Sequence, residues 1–266
     1  MRRIAYSLGA AVAVAALAWP EPAAAAPPWV ARPITLPDGV WAFDAGLGVG
    51  HTETNVRNVP NQSVTGVGLN FEGAVGITSH IQLGVRSGAR FNDEAKALGA
   101  DQYGRIFDQE TYGTGLDTFA NPEISVTGSV VRTAVVELAL QGRGYLPFET
   151  GTRPGVLLGM PLAVHLGSIA RLDTGAYVPV LFYNPIQSQL SIPANFWFQV
   201  ADRVWLGPMT GVRVHRNGTD LRIGFGLGYQ IASFLDFKTQ FLFPAVNQDN
   251  GSQTFGFGVG LEIRIE

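Results

Sequence analysis

The chain has 266 residues, a formal net charge of −3 and no cysteine, so disulfides and thiolate metal sites are excluded and no basic footprint for nucleic acid is present. Hydrophobic residues make up 46% of it and charged residues only 15%. After the N-terminal stretch, no apolar run reaches the roughly 20 residues that a spanning helix needs.

The first residues read as a secretory signal. Arg2 and Arg3 form a positive n-region, Ile4 to Trp19 is uncharged and apolar, and the alanines at 23–26 supply small residues for cleavage. Pro20 and Pro22 end the apolar stretch before it is long enough to anchor a membrane. Residues 1–25 are therefore expected to be removed. Residues 26–39, rich in proline, are expected to form a short periplasmic lead-in to a barrel domain at 40–266.

From residue 40 a single pattern repeats, with apolar side chains on one parity and Gly, polar or charged residues on the other. Residues 40–50 set Trp41, Phe43, Leu47 and Val49 against Asp44, Gly46 and Gly48. Residues 66–77 set Val67, Leu69, Phe71 and Val75 against Gly68, Asn70 and Glu72, and residues 81–91 set Leu83, Val85 and Ala89 against Gly84, Arg86, Gly88 and Arg90. The next two, 123–131 and 135–146, place Glu123, Ser125 and Thr127, then Glu137, Gln141, Arg143 and Tyr145, on the polar parity. Residues 156–166 and 169–182 carry fewer charges, with His165, Arg171, Asp173 and Tyr177 on the minority face. Residues 190–200 oppose Ile192, Phe196 and Phe198 to Asn195, Trp197 and Gln199. Residues 204–215 and 221–229 carry Gly207, Gly211, Arg213, His215, Arg222, Gly224, Gly226 and Gly228 on the polar side. The last two, 235–243 and 255–265, set Asp236, Lys238 and Gln240, then Gly256, Gly258, Gly260, Glu262 and Arg264, against aromatic and aliphatic residues.

Twelve such segments predict an all-β fold, a closed antiparallel up-and-down transmembrane β-barrel of about twelve strands. The segments run to about ten residues, which suits a tilted spanning strand better than a soluble one of about 5–6. Connections are expected to alternate between tight turns and longer loops, the latter at 51–63, 92–118, 148–154, 183–188, 216–220 and 244–253. Aromatic residues gather near strand ends, with Trp41, Phe198, Tyr229 and Phe234 on the tight-turn side and Phe91, Phe119, Phe148, Phe182, Phe243 and Phe255 on the loop side. Lipid cannot satisfy an open sheet edge, so the sheet must close on itself. The apolar parity then faces outward.

The signal, the period-2 strands and the closing run Phe-Gly-Phe-Gly-Val-Gly-Leu-Glu-Ile-Arg-Ile-Glu at 255–266 resemble bacterial outer-membrane barrel proteins over nearly the whole mature chain. The stretch Gly-Leu-Asp-Thr-Phe-Ala-Asn-Pro-Glu-Ile at 115–124 and Leu-Asp-Thr-Gly-Ala-Tyr at 172–177 resemble, within that group, poorly characterised barrels associated with aromatic degradation. The resemblance implies outer-membrane lipid and the barrel assembly machinery as partners. That machinery usually reads a terminal aromatic residue, whereas this chain ends Ile265-Glu266.

Function is expected from the lumen. Strand direction places Arg90, Arg143, Arg213, Arg222 and His215 in its loop-side half, with Tyr145 nearby and Glu123 the main opposing acid. A ring of one sign in a low-dielectric wall would favour anions. The expected role is a passive channel for small polar or acidic solutes, with a mild anion preference. The acid-rich loop at 92–118 is expected to cap the mouth or fold partly inward, the alternative being a mobile exposed loop. Inward glycines could mark either open space or sharp curvature. A structural or docking barrel with partner-binding outer loops is one alternative, and a membrane-embedded hydrolase another. For the hydrolase, the four histidines (His51, His80, His165, His215) lack a serine and an acid at useful spacing. No catalytic residue, metal ligand or cofactor is assigned.

Overall fold

The computed structural model of the chain describes residues 27–54, 62–90, 122–147, 154–182, 184, 186–216, 218–248, 251 and 254–266. The signal stretch and the loop at 92–118 lie outside the described residues. The strands are β1 (Trp41–Thr54), β2 (Gln62–Thr78), β3 (Ile81–Arg90), β4 (Glu123–Arg132), β5 (Val136–Tyr145) and β6 (Gly155–Leu166), followed by β7 (Ala170–Leu181), β8 (Gln187–Ala201), β9 (Val204–His215), β10 (Gly218–Ala232), β11 (Leu235–Phe243) and β12 (Phe255–Ile265). Each pairs with its sequence neighbours, and β1 closes on β12 from Trp41 opposite Ile265 to His51 opposite Phe255. The closed, antiparallel, up-and-down barrel expected from the alternation is the fold observed.

The apolar parity faces outward in every strand. Val85, Leu158 and Ile169 are 59%, 63% and 70% exposed. The belt they belong to is far larger than the few hundred Å² of apolar patch a soluble monomer tolerates. Lipid is the solvent in which such a belt is stable, and closure leaves the sheet no open edge strand. Trp41, Phe198 and Tyr229 stand exposed on the tight-turn side, as interfacial residues do.

Hydroxyl residues make two of the tight turns. Thr78 Oγ1 accepts the backbone N–H groups of His80 and Ile81 at 3.2 and 3.1 Å. Thr133 Oγ1 does the same for Val135 and Val136 at 3.3 and 2.9 Å. Just before a tight turn, β2, β4, β8 and β10 each carry a register shift, the local irregularity that tightens twist at a barrel rim.

Three expectations need correction. Residues 51–54 and 62–63 are strand rather than loop, because β1 and β2 go on pairing up to Thr54 opposite Gln62. The connection expected at 216–220 shrinks to the two residues between β9 and β10. Gly218, Thr219 and Asp220 pair with His215, Val214 and Arg213, so the polarity of Asp220 marked a lumen position and not a loop. Finally, the proline-rich segment before β1 does not hang free as a lead-in. Trp29, Val30, Arg32, Ile34, Thr35 and Leu36 are all buried, inside the tight-turn mouth of the barrel.

The outward parity of Leu261 has a measurable consequence. Leu261→Arg is expected to lower the free energy of refolding into lipid vesicles by about 2–4 kcal/mol. An unchanged denaturant midpoint would mean that this face of β12 does not meet the hydrocarbon.

Candidate functional site in the barrel lumen

Residues 28–37 cross the tight-turn mouth from one wall to the other. A single 3-10 turn, Trp29–Ala31, starts the crossing. The Trp29 indole stacks on Trp205 at 5.1 Å between centroids and meets Trp197 edge-on at 5.4 Å, with the Arg171 guanidinium 5.4 Å from its centre. Stacked aromatic pairs of this kind contribute about 0.5–1.5 kcal/mol beyond their buried area. His165 Nδ1 donates to Val30 O at 2.8 Å, and Arg171 Nη1 donates to Arg32 O at 2.5 Å. The backbone N–H of Ile34 donates to Glu137 Oε2 at 2.8 Å and that of Leu36 to Gln82 Oε1 at 2.9 Å. Ile34 packs on Ala139 and Ala163, two small inward residues that leave it space. Arg32 reaches across to β11 and forms a fully buried ion pair with Asp236. At the exit, a Cβ on Gly76 would collide with the Pro37 carbonyl, so glycine is what lets the segment turn into β1.

The barrel wall supplies a reason for this arrangement. Along one hydrogen-bonded row, consecutive partner positions are Asp236, Glu262, Asp44, Glu72, Arg86 and Glu123. Like charges opposite one another on neighbouring strands repel, so the row depends on cations from other rows. Lys238 bridges Asp44 (3.1 Å) and Glu262, while Arg264 Nε bonds Glu262 Oε1 at 2.5 Å. Asp236 is paired by Arg32 of the segment.

The residues singled out from sequence fall into two groups. On β4 and β5, Arg143 Nη1 binds Glu123 Oε2 at 2.5 Å with both side chains buried. Tyr145, on the same strand, packs with Leu157, Tyr177 and Leu181 into an inward-facing apolar cluster. On β8 to β10, Arg213 binds Asp220 at 2.8 Å and the His215 ring lies 3.4 Å from the same carboxylate. Arg222 is buried against Asn195 Oδ1 (3.4 Å) and the Thr210 carbonyl (3.1 Å). Arg90 stands opposite Gly68 in the ladder. The arginines therefore form no uniform cationic ring, because Glu123 and Asp220 each hold one.

Trp29, Arg32, Trp205, Met209 and Asp220 were not recognised as lumen residues from sequence. For Trp205 and Met209 the signal was present, since they share the inward parity of Gly207 and Gly211. Among the catalytic possibilities, Ser79 Oγ lies 2.9 Å from His80 Nδ1. Both sit on an exposed turn, and no described carboxylate orients the imidazole. No cluster of metal-ligating side chains is present among the described residues.

The inward glycines serve two purposes. On β10, a Cβ at Gly226 would come within 2.5 Å of the Trp197 ring, and one at Gly228 would overlap Trp205. These glycines make room for the indoles. On β1 and β12, a Cβ at Gly46, Gly258 or Gly260 would meet nothing nearer than 3.4 Å. There the barrel encloses a cavity with about 110 Å³ of water-accessible space, walled by Asp44, Asn70, Glu72, Lys238 and Gln240 and by the segment. The segment fills one side of the lumen and borders this cavity on the other.

A closed twelve-strand barrel with an apolar belt, a charged lumen and a short internal segment defines the class: an outer-membrane β-barrel. No family model matches the chain, and no curated protein matches it in sequence. Among solved structures it is similar to KdgM porin (TM-score 0.56, 5% identity, covering 84% of this chain and 99% of that one). It is also similar to NanC porin (0.57, 7%, 84% and 100%) and to an outer membrane channel from Pseudomonas putida F1 (0.58, 9%, 93% and 100%). At such identities the likeness is one of fold.

The Arg32–Asp236 bridge is expected to hold the segment in place. Removing one partner of a buried ion pair costs about 3–5 kcal/mol when the other stays buried, so Arg32→Ala should release the segment instead. Chymotrypsin should then cleave after Trp29 in the variant and spare the wild type. Equal protection of both would show that the bridge is not what retains the segment.

Proposed function

We propose that the protein is a passive outer-membrane channel for small polar solutes. The observation that carries this reading is the glycine-floored cavity beside the N-terminal segment, where Asp44, Asn70, Glu72, Lys238 and Gln240 meet a mainly apolar lining. A barrel meant only as scaffold or docking platform has no need of such a space. The similar structures described as porins and as an outer membrane channel support the same reading at the level of fold.

The lumen's charge arrangement bears on what would pass. Arg143 and Arg213, the outer arginines expected to attract acids, are bridged to Glu123 and Asp220. Paired charges generate little long-range field, so neutral polar solutes are favoured over acids in the native protein. Selectivity would then be set by how well Glu123 and Asp220 mask their partners, with Arg222, His215 and Tyr145 lining the same half.

Planar-bilayer recording tests both points. The wild type should show discrete, small conductance steps, and a variant lacking residues 27–37 should show larger ones, because the segment occupies lumen cross-section. A barrel silent in both forms would favour the docking role. Under a salt gradient, Glu123→Gln combined with Asp220→Asn should move the reversal potential toward anion preference. No movement would remove these residues from selectivity.

A further inference from the structure

The open space beside the segment has walls of two kinds. Its lining combines apolar residues (Trp29, Ile34, Leu36, Trp205) with the polar Asp44, Lys238, Asn70 and Gln240. Its acids (Asp44, Glu72, Glu262) and bases (Arg86, Lys238, Arg264) are equal in number. Lys238, Asp44, Glu262 and Arg264 are engaged with one another. A charged ligand would have to break into these pairs and leave a charge poorly solvated inside the barrel, which is costly. Hydroxyl groups face no such barrier. Each can donate to a carboxylate or amide oxygen and accept from an ammonium or amide N–H, without displacing a salt bridge. Carbon-bound hydrogens of the same molecule can lie against the apolar part of the lining, the usual division between apolar contact and oriented polar groups in a small-molecule site.

We propose that this cavity is a binding site for a small uncharged polyhydroxylated molecule, of monosaccharide or polyol type, on its way through the barrel. The proposal rests on the channel reading and names the solute class for it. Gly46, Gly258 and Gly260 line the cavity on the β12–β1 wall. Because a Cβ at Gly258 meets nothing nearer than Gln240 Cγ at 3.7 Å, a larger residue there fills the void without pushing strands apart.

The test uses the full-length mature protein in a detergent without a sugar headgroup. Tryptophan emission is titrated with glucose, with sodium acetate and with arginine hydrochloride, and the same three solutes are then used in liposome-swelling assays. Glucose should give a saturable change that the two salts do not. Gly258→Leu, which fills the cavity, and Gln240→Ala, which removes an amide, should each weaken glucose binding by about tenfold, the equivalent of one or two hydrogen bonds. Heat-modifiable gel mobility verifies folding of both variants. A glucose response that is absent, or unaltered in both folded variants, overturns the proposal. If the wild type conducts ions in a bilayer yet does not bind glucose, the proposal falls and the channel reading stands. If it binds glucose yet passes no solute, the channel reading falls and the site stands.

Discussion

A barrel surrounded by hydrocarbon has only one place to put its charges. An ionised side chain on the lipid face costs several kcal/mol at mid-depth, so every strand that carries an acid or a base must turn it inward, and the lumen must then neutralise the sum. Here the demand is sharpened by the row running from Asp236 through Glu262, Asp44 and Glu72 to Arg86 and Glu123, where one arginine stands among five carboxylates. Lys238 and Arg264 reach into the row from adjacent positions, Arg143 supplies the far end, and Asp236 is completed by a residue from outside the barrel wall altogether. Arg32 is thus part of the electrostatic construction of the barrel and not an appendage to it.

The segment that brings Arg32 in also divides the interior. Small wall residues accept it on one side: Ala139 and Ala163 under Ile34, Gly226 and Gly228 behind the two wall tryptophans. On the β12–β1 side, equally small residues meet no side chain in close contact and leave a cavity. The same residue type therefore has opposite consequences in different sectors, and only the position of the segment decides which. The proposed channel role rests on this asymmetry, because a lumen filled all round would be a plug and an unfilled one a wide pore.

Much of this was legible in the sequence. Strand number, strand direction and the inward sense of most strand charges follow from period-2 alternation, because one lipid face and one wet face leave the register little freedom. Asp220 was missed because Gly218-Thr219-Asp220 has turn composition, and only the pairing with Val214 and Arg213 shows it to be strand. The segment was missed for a different reason. It has no periodicity, and its partners (Glu137, His165, Arg171, Trp205, Asp236) come from five strands far apart in the chain. The pairing of the outer arginines was only half legible: Glu123 could be named as an opposing acid, but counting signs by depth does not say which carboxylate each arginine reaches.

The central claim is that solutes pass beside a segment that stays in place. Ile34 packs against Ala139, and the chain has no cysteine of its own, so Ile34→Cys with Ala139→Cys can lock the segment to β5 by a disulfide. Single-channel conductance of this variant should be the same oxidised and reduced. If oxidation closes the channel and reduction reopens it, conduction requires the segment to leave, and the division of the lumen described above is not the conducting state.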